Sequence, residues 1–157
     1  MPGKHSPNRL ENYIDIYETI IEQQLRGGFL LRNNLVFIAL HDQILIEGSL
    51  NCRGDIYIDV RKRLTILSGE GSQALVQTTS YSYNVALVGV GNIFRYDSPH
   101  SDHNKFHHLH KYDVLNGDKQ GEVHAVDSEK WRHLQEVIEE AMDWHYDNYS
   151  RSGIQNN

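Results

Sequence analysis

Hydrophobic and polar positions change rhythm twice along this chain of 157 residues. Between Arg9 and Leu25, Tyr13, Ile16, Tyr17, Ile20, Ile21 and Leu25 recur at three- and four-residue spacings, with Glu11, Asp15, Glu18 and Glu22 mostly on other faces. This spacing predicts an amphipathic helix over 9–25, stopped at Gly27-Gly28. Its stripe suits packing against the rest of the fold, with a partner-binding arm as the alternative use. From Phe29 to Ser98 the period becomes two. Ile44 and Ile46 alternate in one run and Ile56, Ile58 and Val60 in the next, separated by Asn51-Cys52-Arg53-Gly54, a hairpin signal. A second strand pair is expected from Ala74–Leu87 and Asn92–Asp97 around Gly89-Val90-Gly91. Phe106 to Tyr112 adds a fifth strand, and Glu122 to Val126 pairs back after the turn signal Asn116-Gly117.

The last element has the clearest stripe. Trp131, Leu134, Val137, Ile138, Ala141 and Met142 lie opposite Glu136, Glu139, Glu140 and Asp143. A helix over 128–148 is expected, N-capped by Asp127 or Ser128, with a flexible polar tail over 150–157. Strands followed by a helix, without βαβ alternation, give an α+β fold. The expectation is a single domain, 1–157, with an antiparallel sheet of five or six strands over 29–126 packed by an N-terminal and a C-terminal amphipathic helix. The His-rich motif falls at 95–112.

Composition narrows the function classes. The longest apolar runs, such as Val36 to Leu40, are too short to span a bilayer, and the first residues lack the apolar core of a signal peptide. A cytoplasmic location without membrane contact is expected. One cysteine, Cys52, excludes an intrachain disulfide and a multi-cysteine zinc site. Net charge is −6 with histidines neutral, which argues against a general nucleic-acid binder. Most of the acid excess lies beyond residue 125, so a local basic site elsewhere remains compatible with it. No Walker motif or dinucleotide fingerprint occurs.

Ten histidines are present, and His100, His103, His107, His108 and His110 crowd into eleven residues. On a strand, His108 and His110 share one face with Tyr112, while His107, Leu109 and Lys111 share the other. Residues two apart stand roughly 6.5–7 Å apart at Cα, close enough for two imidazoles to converge on one metal ion or one phosphate. Three readings follow. In the first, His108 and His110 ligate a metal, completed by Asp97, His100, Asp102 or His103. In the second, the histidines perform acid–base chemistry on RNA, since imidazole titrates near neutrality and a pair can both take and give a proton. Arg95 or Lys111 then serves the phosphate. In the third, the run is a solvated surface loop. Tyr81 and Tyr83 share a strand face and suit either base stacking or packing against a helix. Arg61-Lys62-Arg63 reads as a solvated strand edge, or else as a phosphate grip.

The segment Tyr81 to Trp144 resembles the TumE-like family of toxin–antitoxin proteins. Tyr81 and Tyr83 match that family's aromatic strand, Arg95-Tyr96-Asp97 its RYD, Pro99-His100 its PH, and Phe106, His107, His108 and His110 its last motif. Ser98 replaces the family's Asn, and Ser101 stands where a second histidine is usual. The resemblance implies a small toxin silenced by a cognate antitoxin protein, with RNA cleavage as the expected activity. On this reading His108 and His110 transfer protons, and His100 and Asp97 orient or assist. Arg95 stabilises the phosphorane, with Lys111, Tyr83 and Tyr96 also contacting substrate. No cofactor is required. The alternatives are a mononuclear hydrolase or nuclease holding one divalent ion, zinc or manganese, on His108, His110 and His100, and a non-catalytic interaction module. RNA and the antitoxin are the expected partners, and a homodimer is compatible with the chain.

Overall fold

Alternation builds the centre of the molecule. In the computed structural model, which describes residues 6–98, 107–126 and 132–149, strand β4 (Gln43–Cys52) pairs antiparallel with β5 (Ile56–Ser68). The tight connection Arg53–Asp55 holds Gly54 at φ 71° and Asp55 at φ 59°. Gly54 enters this left-handed region without Cβ strain, and Asp is one of the few other residues that does so readily. Ile56, Ile58, Val60, Lys62 and Leu64 of β5 are buried, while Arg61 and Arg63 point the other way and are exposed. Each fully buried aliphatic side chain contributes about 1.5–3 kcal/mol, so this row fixes the register of the central strand.

Strand β6 (Leu75–Leu87) lies on β5, β7 (Gly91–Asp97) on β6, β8 (His107–Lys111) on β7 and β9 (Glu122–Val126) on β8, all antiparallel. β9 pairs back on β8 as expected, with His108 opposite Ala125. Among the described residues the sheet has nine strands where five or six were expected. The three additional ones are short. β1 (Asn8–Arg9) pairs with the start of β6, and β2 (Leu30–Asn33) and β3 (Val36–Ala39) both pair with β4. β2 and β3 form one outer strand interrupted at Asn34-Leu35. There the backbone passes so close to Gly48 of β4 that a Cβ at Gly48 would lie 2.2 Å from the Asn34 carbonyl oxygen. Four-residue strands with exposed residues on both sides carry no alternation to read.

Both helices pack on one face of the sheet. Helix α1 (Leu10–Gly27) buries Tyr17, Ile20 and Ile21, and ends where Gly28, at φ 86°, donates its N–H to the Leu25 carbonyl. Ile16 and Leu25, expected on the buried stripe, are exposed. Helix α2 (Leu134–Asn148) buries Leu134, Val137, Ile138, Ala141 and His145. It starts six residues later than expected, with Arg132 and His133 still non-helical. His133 takes the cap position, and its N–H donates to Glu136 Oε1 at 3.2 Å. Asp127, Ser128, Trp131 and the tail 150–157 lie outside the described residues. Among the described residues no helix is long and apolar enough to cross a membrane.

Candidate active site

The pairing of β7 with β8 sets Arg95 opposite His110 and Asp97 opposite His108. Cross-strand partners share a face, so these four side chains gather on the side of the sheet away from the helices. Asp97 Oδ2 accepts from Arg95 Nε at 2.6 Å and stands 3.4 Å from both His108 Nε2 and His110 Nε2. Arg95 Nη2 lies 3.4 Å from His110 Nε2. The imidazole rings of His108 and His110 meet edge-on, 5.0 Å between centroids, and Tyr112 stacks on His110 at 6.3 Å. One ligand atom from each of Asp97, His108 and His110 can be chosen so that all lie within 4.8 Å of one another.

Accessibility is graded across the cluster. Asp97 and His108 are each 2% exposed, whereas the side chains of His110 and Arg95 are 17% and 34% exposed. A buried carboxylate costs several kcal/mol unless it is paired. Here a guanidinium at 2.6 Å and two imidazoles share that one oxygen. Ion pairing and imidazole contacts hold the carboxylate at the floor, and the mouth presents a cation and one titratable ring.

The remaining residues expected at the site fall elsewhere. His100, with Pro99, Asp102, His103 and Phe106, lies outside the described residues. Lys111 and Tyr96 lie on the opposite, helix-covered face, as alternation from His108 and Asp97 requires. Lys111 is exposed beside α2, lining a hollow with Arg132, Glu136 and Glu140. The Tyr96 hydroxyl donates to Glu140 Oε1 at 2.7 Å and so ties α2 to β7. Tyr83 is 0% exposed and cannot stack on a base. Its ring packs under α1, the second of the two uses open to it from sequence. Tyr81 is also buried, with its hydroxyl 2.7 Å from His107 Nδ1 and its ring stacked on that imidazole. Burial, then the neighbouring His108, lowers the His107 pKa. His107 therefore works on the helix face, away from His108 and His110.

The basic triplet also divides. Arg61 and Arg63 are exposed, but Lys62 is 4% exposed on the helix side of a central strand, not at a sheet edge. The signal for it was its place in the row Ile56, Ile58, Val60, Lys62, Leu64, where an inward residue is due. Cys52 is buried and its thiol is pushed up to about 12 by that burial, leaving it protonated.

Comparison with protein-family models, with curated proteins and with solved structures finds no match. The resemblance to the TumE-like family therefore rests on the motif residues alone.

Proposed function

We propose that Asp97, His108 and His110 form a mononuclear divalent-metal site, zinc foremost, serving hydrolysis of RNA phosphodiesters in the toxin of a toxin–antitoxin pair. The observation that carries the metal reading is the placement of one carboxylate oxygen 3.4 Å from two imidazole nitrogens. Ligands about 2.0–2.1 Å from a tetrahedral zinc ion are separated by about 3.3–3.4 Å along the tetrahedron's edges. Among the described residues the set is two imidazoles and one carboxylate, and three such ligands with a fourth position taken by water or substrate is the arrangement of hydrolytic rather than structural zinc. Such an ion supplies a nucleophilic hydroxide near neutral pH. Arg95, the most exposed of the four, is placed to receive a phosphate oxygen through its guanidinium fork. The assignment of RNA and of an antitoxin partner rests on the motif resemblance.

A second, metal-free reading is favoured by the 2.6 Å Arg95–Asp97 ion pair, which occupies the same carboxylate oxygen. In it His110, with its ring nitrogen near the guanidinium, exchanges protons with the substrate, and Arg95 stabilises the phosphorane charge.

One experiment separates the two. Untagged protein is stripped with chelator, titrated with zinc and manganese by calorimetry, and assayed for RNA cleavage at each stage. One equivalent of bound metal, with cleavage lost in chelator and restored by metal, supports the first reading. Asp97→Ala and His108→Ala should then each weaken zinc binding by more than the roughly 10–100-fold that outer-shell partners contribute. Cleavage that persists in chelator but disappears in His110→Ala and Arg95→Ala supports the second. Absence of both metal binding and RNA cleavage refutes the proposal.

A further inference from the structure

On the helix-covered face, α1, α2 and β5 border a half-open pocket of about 500 Å³. This is within the ordinary range for sites that hold a small molecule. Tyr13, Ile16, Tyr17, Ile20 and Leu134 give it apolar walls, and Lys62 lines it from the sheet. The Lys62 Nζ donates to the Tyr17 hydroxyl at 3.2 Å and lies 5.0 and 5.3 Å from the Tyr13 and Tyr17 ring centroids. Among the described residues no carboxylate pairs with it, and burial alone lowers its pKa to about 7. A lysine this deeply buried without a counter-ion is costly to the fold.

The first turn of α2 borders the same space. Leu134, Gln135 and Glu136 line it, and the positive end of a helix dipole favours an anion. The two acidic side chains there are engaged. Glu136 Oε2 accepts from Arg132 Nη1 at 3.1 Å, and Glu139 Oε1 accepts from the Gln135 amide at 3.1 Å. With Glu136 neutralised by Arg132, the Lys62 amine is set against one remaining carboxylate, so the space suits at most a single negative charge and would repel a dianion. We infer that this cavity binds a small monocarboxylic acid with a flat apolar body, its carboxylate on the Lys62 amine and its body between the tyrosines and Leu134. The site is separate from the Asp97 cluster, on the opposite face of the sheet.

The test uses the full chain and indole-3-acetate, with indole-3-acetamide as the neutral match, measured by ligand-observed NMR and calorimetry. The acid should bind with a Kd on the order of 0.1–1 mM, and the amide about tenfold or more weaker, the usual worth of a charge-assisted hydrogen bond. Lys62→Met should bring the acid down to the level of the amide and leave the amide unchanged. Ile16→Trp, at a half-exposed cavity position where the fold tolerates change, should weaken both. Equal binding of acid and amide, survival of the preference in Lys62→Met, or no saturation by the acid at ~10 mM would each overturn the assignment.

Discussion

Replacing Lys62 with Met should make the protein more stable, by an amount that depends on pH in a defined direction. Burial takes the Lys62 amine from 10.5 to about 7. At about 1.4 kcal/mol per pH unit, that shift corresponds to about 5 kcal/mol of destabilisation when both folded and unfolded chains carry the charge, below pH 7. Between pH 7 and 10.5 the unfolded chain holds a proton that the folded chain has released. The wild type therefore gains stability as pH rises through this window. The lost Tyr17 hydrogen bond and the contacts with two aromatic rings offset about 1–3 kcal/mol of the gain in the variant. The net expectation is a variant about 2–4 kcal/mol more stable near pH 6.5, with the difference shrinking by about 2 kcal/mol between pH 7 and 9. Urea unfolding followed by tryptophan fluorescence at several pH values measures it. Cys52 and Tyr13, both raised to about 12 by burial, add opposing slopes at high pH. They are common to both proteins and cancel in the difference. Parallel curves, with a gap independent of pH, would refute the reasoning.

Three further outcomes are expected. Arg95→Gln, which removes the guanidinium competing for Asp97 Oδ2, should raise zinc affinity about tenfold in calorimetry while abolishing RNA cleavage. His145 is buried with neither ring nitrogen hydrogen-bonded among the described residues, so His145→Leu should add about 1–2 kcal/mol in chemical unfolding near pH 7. Burial lowers the His145 pKa, so the unfolded chain protonates first as pH falls; the wild type should lose stability below about pH 6.5 by a term the variant lacks. Gly48→Ala places a methyl carbon 2.2 Å from the Asn34 carbonyl oxygen at φ 136°, and should cost about 2–4 kcal/mol in the same assay.

The central hairpin was legible because its inward row is apolar and unbroken except at Lys62, and burial of one face enforces a two-residue period. The same arithmetic separates His108 and His110 from His107 and Lys111. The cluster face could thus be drawn before any coordinates, and carrying it across to β7 would have excluded Tyr96. What obscured the Lys62 cavity was composition. Three consecutive basic residues suggest solvent, and only the strand's parity shows that the middle one turns inward. The depth of Tyr83 followed from the arrival of α1 over β6, a long-range contact that local pattern does not encode. The interrupted outer strand escaped because its pieces are too short to show a period, and the late start of α2 because capping by His133 carries no strong sequence preference.

That interrupted strand also bears on how the chain behaves among its own copies. A sheet edge that no further strand covers among the described residues, with Leu31, Val36, Ile38 and Leu40 exposed along it, would ordinarily be a template for runaway strand addition. The break opposite Gly48 divides it into two segments of four residues. An incoming strand finds no longer continuous ladder to follow, so the geometry of this greasy border disfavours strand addition.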